Sequence, residues 1–79
     1  MRMTLAYWFT QKEHGFFPVE KAALGGCDLS VMFFGGEWQW LVRHEGRDVA
    51  EGAARAGLAA KQQAEAVARR FLDVVDRAA

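Results

Sequence analysis

The chain has 79 residues, 52% of them apolar, and its ten basic side chains balance ten acidic ones. That length allows one domain with a thin core, because a chain this short buries only about 60–65% of the surface it exposes when unfolded. The charge balance argues against a broad phosphate-neutralising surface and equally against a strongly acidic mimic of nucleic acid. The single cysteine, Cys27, rules out an internal disulfide, and no apolar run approaches the roughly 20 residues that cross a bilayer.

The first ten residues, MRMTLAYWFT, lack a long apolar run and a small-residue cleavage pattern, so no signal peptide is expected. Together with the unpaired thiol this points to a reducing cytoplasm. Thr4 to Thr10 is β-branched and aromatic enough for a strand, at about 4–10. The following QKEHGFF reads as a connecting loop. PVEKAALGG then reads as a two-turn helix at about 18–24, with Pro18 as its first residue and Gly25 just past its end.

From Asp28 the pattern changes. Nine of the ten aromatic residues lie before residue 41, and the stretch VMFFGGEWQWLV packs large apolar side chains around Gly35-Gly36. A Gly-Gly pair between apolar runs signals a hairpin, because a type I′ turn needs positive φ at both central residues. Strands are therefore expected at about 29–34 and 37–43. A two-residue turn sets Phe33 opposite Trp38, Val31 opposite Trp40 and Leu29 opposite Val42, all on one face. Phe34, Glu37, Met32, Gln39, Ser30, Leu41, Asp28 and Arg43 then share the other. A one-residue slip would mix the faces, so the pattern selects its own register.

A third strand, at about 48–55, follows a turn at Glu45-Gly46. An odd-numbered loop with Gly46 in the left-handed region would keep Ala50, Gly52 and Ala54 on the tryptophan face, where small residues leave room for indole rings. Val49, Glu51 and Ala53 would go to the opposite face. The last element is the plainest. Ala64, Val67, Ala68, Phe71, Leu72 and Val75 recur at three- and four-residue spacing, which predicts an amphipathic helix at about 58–77 with Gly57 as a weak N-cap. Lys61, Glu65, Arg69, Asp73 and Arg77 alternate in sign down its side at four-residue steps. The expected fold is α+β, a small antiparallel sheet of three to four strands with one long C-terminal helix packed on one face. No internal repeat is evident.

Chemistry is sparse. His14 and His44 stand thirty residues apart with no second ligand at metal spacing. The glycine pairs fit no phosphate-binding loop, since neither follows a strand and opens a long helix. Cys27 lacks an orienting partner, and Glu45, Asp48 and Glu51 are interleaved with Arg43, Arg47 and Arg55. Trp38 and Trp40 could stack on bases, but their expected neighbours make them core. No enzyme activity, cofactor or metal is expected, and direct nucleic-acid contact is disfavoured.

The segment GEWQWLVRHEGRDVAEGAARAGLAAKQQAEAVARRFL resembles a strand–turn–strand–helix pattern of small phage and prophage proteins. Its marks are Trp38-x-Trp40-x-Val42, the Gly46 turn, Val49-Ala50-x-Gly52 and Ala60-Lys61 before Ala64-Glu65. In size, charge and lack of catalytic residues the chain is similar to anti-CRISPR inhibitors, with those of type I effector complexes, type I-C among them, the nearest in kind. The resemblance implies a cytoplasmic, non-enzymatic inhibitor that binds a Cas subunit and blocks target DNA by steric occlusion. One helix can cover one face of a small sheet, so either the N-terminal segment, with Phe16 and Phe17, folds over the second face, or that face is exposed and, with the hairpin tips, is the expected contact surface. Phe34, Glu37, Leu41, Arg43, Arg47, Val49 and Glu51 are its candidate partner-binding residues. A base-stacking module and a structural homodimer are the alternatives.

Overall fold

Four eight-residue segments joined by two-residue turns build most of the molecule. The computed structural model describes residues 6–13 and 17–78. Its sheet contains β1 (Phe9–Glu13), β2 (Phe17–Leu24), β3 (Cys27–Phe34), β4 (Glu37–His44) and β5 (Arg47–Ala54), and α1 (Gly57–Ala78) follows. Each strand pairs antiparallel with the next, in the order β1-β2-β3-β4-β5. Gly25-Gly26, Gly35-Gly36 and Glu45-Gly46 join the last four strands, and all six turn residues have positive φ. Such turns match the right-handed twist of the strands they join. Gly26, Gly36 and Gly46 thus stand ten residues apart, each as the second residue of its turn.

The sheet thus has five strands rather than three to four. The segment expected as a helix at about 18–24 is β2. Its Ala, Glu and Lys content favours a helix, but two turns of helix are barely stable alone, and a buried face decides the matter. Strand alternation puts Ala22 and Leu24 in the core, at 4% and 1% exposure, while Lys21 and Ala23 point the other way. Pro18 is tolerated because it lies near the start of the strand. The N-terminal strand also moves. Of the expected 4–10, residues 4 and 5 lie outside the described residues, Ala6 to Trp8 are not strand, and pairing runs from Phe9 to Glu13 into the expected loop. His14 and Phe16 lie outside the described residues.

The central hairpin has the expected register, with Phe33 opposite Trp38, Val31 opposite Trp40 and Leu29 opposite Val42. Leu29, Val31, Trp40 and Val42 are buried beneath α1 with Cys27. Phe33, expected in the core, is half exposed. The helix begins at Gly57, against the Trp38 ring, and leaves Phe33 to lie tilted against Trp38, 5.1 Å between centroids and 58° between planes. Along the helix, Ala60, Ala64 and Ala68 are fully buried at four-residue steps. Methyl groups at these positions let the helix backbone lie close to the sheet, and Val67, Phe71 and Leu72 flank them. Val75 is largely outside the core because a 22-residue helix, about 33 Å long, outruns an eight-residue strand of about 27 Å.

Polar contacts fix the helix at its flanks. Trp40 Nε1 donates to Gln63 Oε1 at 2.9 Å, and Trp8 Nε1 donates to Glu65 Oε2 at 2.6 Å. Lys61 pairs with Glu20 of β2 and lies 5.7 Å from the Trp8 ring centroid. The alternating charge series is therefore only partly intrahelical. Glu65 meets Arg69 and Asp73 meets Arg77, whereas Lys61 reaches across to the sheet.

The β4–β5 hairpin corrects one expectation of mechanism. Its loop is the two residues Glu45-Gly46, not an odd number. Val42 opposes Ala50 but Arg43 opposes Asp48, so the register shifts at this point and Val49 is the extra residue of a β-bulge. The bulge restores the parity that keeps Ala50, Gly52 and Ala54 on the tryptophan face. It also carries Val49 to the helix side, where it packs against the core.

Candidate partner-binding face

No described element covers the sheet face opposite α1. Pairing aligns Phe9, Lys21, Ser30, Leu41 and Glu51 in one row across all five strands of that face. Strand alternation adds Val19, Met32 and Phe34 toward the Gly35-Gly36 end, and Ala23, Asp28, Arg43 and Asp48 toward the opposite end. Phe9 and Phe34 are 57% and 54% exposed, and Met32 and Leu41 are half-buried. The small side chains of Ala23 and Ser30 leave a shallow groove on this face, bordered by Phe9, Lys21, Leu41 and Arg43. An apolar strip surrounded by charges is the usual appearance of an interaction surface.

The charges are unequal. Lys21 and Arg43 are the cations of this face among the described residues, against Asp28, Glu37, Asp48 and Glu51. Arg43 Nε donates to Asp48 Oδ1 at 2.6 Å, and that bond, with the attraction behind it, raises the already high pKa of the guanidinium. Asp28, Glu37 and Glu51 then bound the apolar strip at both ends and at the β5 edge.

Five of the expected contact residues meet on this face, namely Phe34, Glu37, Leu41, Arg43 and Glu51. Two do not. Val49 is turned to the core by the bulge, and Arg47, opposite His44, belongs to the helix side. There it lines a second hollow with His44, Glu45, Asp48, Val49 and Phe71. Phe9, Val19 and Lys21 were not foreseen on the open face. No hydropathy alternation in Val19 to Leu24 marks them; their place follows only from the pairing of β2 with β1 and β3.

The remaining reactive groups are quiet. Cys27 lies directly opposite His44, so the hairpin does bring thiol and imidazole near one another. The thiol is fully buried, however, and burial, with Asp28 nearby, pushes its pKa up. A nucleophilic thiol needs the reverse of both. His44 turns its ring toward Phe71, 5.0 Å away, with Glu45 at 3.8 Å from Nε2. Among the described residues no three His, Cys, Asp or Glu side chains gather as a metal site, and no helix is long and apolar enough to span a membrane. The chain matches no protein-family model, no curated protein and no solved structure.

Proposed function

We propose that this protein is a non-enzymatic inhibitor of the anti-CRISPR kind, which docks its open sheet face on a Cas subunit of a type I effector complex and obstructs access to target DNA. One observation carries the docking half of this reading. The only helix among the described residues is spent on one face of the sheet, and no described element lies over Phe9, Met32 and Leu41 on the other. The resemblance of Trp38-x-Trp40-x-Val42 and the segment that follows to small phage proteins supplies the choice of target. Direct base stacking is the weaker reading, since carboxylates outnumber cations around the exposed aromatic rings and would repel a phosphate backbone. The protein would act in the cytoplasm of the host cell.

The test uses a purified type I-C effector complex. The wild-type chain should co-elute with it in size-exclusion chromatography and weaken its binding to target DNA in a gel-shift assay. Leu41→Lys should do neither. A wild-type chain that fails to co-elute and leaves the DNA shift unchanged removes the inhibitor reading.

A further inference from the structure

The sheet has two outer strands, β1 of five residues and β5 of eight, and β5 has no neighbour beyond it. We infer that the outer edge of β5, from Glu51 to Arg55, pairs antiparallel with the same edge of a second copy of this chain. The two-fold axis passes at Ala53 and joins the two sheets into one. This goes beyond the docking reading and does not rest on it, since an edge-to-edge pair leaves the open face free.

The backbone comes first. Antiparallel partners alternate between bonded and non-bonded pairs, and the residues that close a two-residue turn are a bonded pair. Starting from His44 and Arg47, and passing the bulge at Val49, the alternation bonds Ala50, Gly52 and Ala54 to β4. The N–H and C=O groups of Glu51 and Ala53 therefore point away from β4, where no described strand meets them. Proteins blunt such edges with bulges, charges, lysine or proline. In β5 the bulge and the charges of Arg47 and Asp48 blunt the first half. Beyond the bulge the strand reads Glu51-Gly52-Ala53-Ala54, with no lysine, no proline and one side chain larger than a methyl group.

Charge then selects the partner and the register. Glu51 and Arg55 are exposed, and among the described residues neither has an ion-pair partner. A two-fold axis at Ala53 sets Glu51 opposite Arg55 of the second copy and Arg55 opposite its Glu51, so two opposite-charge pairs form by symmetry. On the helix side the same axis sets Gly52 against Ala54, which are too small to collide. An axis at Glu51 or at Arg55 would set like charges face to face. One at Gly52 or Ala54 would leave both charges without an opposite. The strand thus carries both halves of the pattern that it needs in a partner.

The test is sedimentation equilibrium of the full-length chain from about 10 μM to about 1 mM, because an interface of this size is weak and reversible. The wild type should show a concentration-dependent dimer. Glu51→Arg sets arginine against Arg55, and Arg55→Glu sets glutamate against Glu51, so each alone should weaken the dimer about tenfold. Mixed in equal amounts the two variants should recover it, because every cross-strand charge pair is then opposite in sign. Circular dichroism melting establishes that each variant folds. A wild type that stays monomeric at the highest concentration overturns the inference. So does a dimer that neither substitution weakens, or a mixture that stays as weak as its components. Leu41→Lys should leave the dimer intact, and its loss there would move the contact to the open face and overturn the edge pairing. Protection of the Glu51 and Ala53 amides from hydrogen exchange only when an effector complex is added would give the edge to a strand of that partner instead. The two readings fail separately. A dimer that captures no effector complex keeps the edge and removes the target, and capture by a strictly monomeric chain does the reverse.

Discussion

Gly52 is a glycine because Trp40 occupies its side-chain space. A Cβ built on Gly52 would lie 2.6 Å from Trp40 Cζ2 and 2.9 Å from Nε1. The two residues are direct cross-strand partners, and the indole lies flat over β5 with its N–H turned to Gln63 of the helix. The ring is nearly buried between sheet and helix, and its rigid edge, not a flexible chain end, is what the methyl group would meet. Gly52→Ala should cost about 1–3 kcal/mol, the usual penalty for forcing a methyl group into a packed core. The midpoint of urea unfolding measures it. A midpoint equal to or above that of the wild type would mean that the ring does not lie where this contact places it.

Glu45 holds φ at 52° in the turn between β4 and β5, where the other two hairpins have glycine. A left-handed conformation is costly for a glutamate and common for asparagine, which precedes glycine in the favoured form of this turn. Glu45→Asn should raise stability by about 0.5–1 kcal/mol. The pairing with His44 that it removes is at 3.8 Å and exposed on the Glu45 side, and such pairs are worth little. Thermal melting checks the gain, with Gly46→Ala as the opposing control, which should lower the melting point. If both substitutions lower it alike, the turn is not of this type.

Much of this architecture can be read in the residues, and the boundary of what can be read has physical causes. The β3–β4 pairing is legible because six large side chains on one face admit a single register. The helix is legible because its apolar stripe, Ala64 to Val75, runs for about three turns. β2 is not, since the intrinsic preference of Val19-Glu20-Lys21-Ala22-Ala23 for helix is overridden by contacts distant in sequence, the burial of Ala22 and Leu24 under α1. The same error hid the fifth strand and, with it, Phe9 and Lys21 of the open face. The bulge is a different case. One unpaired residue leaves no trace in composition, so Val49 looked like any alternating strand residue although it faces the core. Phe34, Glu37, Leu41 and Arg43 fall together on the open face because the β3–β4 register is legible, Glu51 joins them because it lies beyond the bulge, and Arg47 and Val49 fall elsewhere because the bulge is not legible.

Cys27 makes stability depend on pH in a known direction. Its thiol pKa is raised in the folded state, chiefly by burial and secondarily by Asp28. A raised pKa means that the fold favours the protonated form. That contribution is present in full below the unfolded thiol's pKa and is lost as pH rises through the folded one. Urea midpoints should therefore fall between neutral pH and the alkaline side of the ordinary thiol range. Cys27→Ala should fall less over the same interval, after a lower start of about 1 kcal/mol from the lost sulfur packing. Iodoacetamide should react with Cys27 only as fast as the protein unfolds. Rapid alkylation of the native chain, or equal pH slopes for variant and wild type, would contradict the burial of this thiol.

The one-sidedness of the sheet can be tested at two adjacent residues of the same strand. Leu41 is half-buried on the open face beside Ser30 and Glu51, and Val42 is fully buried beneath the helix beside Leu29 and Ala50. Leu41→Lys places an ammonium opposite Glu51, where cross-strand attraction offsets part of the lost apolar contact, so the melting point should fall by no more than the equivalent of about 1 kcal/mol. Val42→Lys would bury an unpaired charge against Leu29 and the alanine stripe, at a cost comparable to the whole stability of a domain this small. The first variant should give a native circular dichroism spectrum and the second an unfolded one. Because the two positions differ by one residue and the substituted side chain is the same, the contrast isolates which face is covered. Two variants that melt within a few degrees of each other would mean that both faces are covered, and the surface assigned to a partner would then be interior.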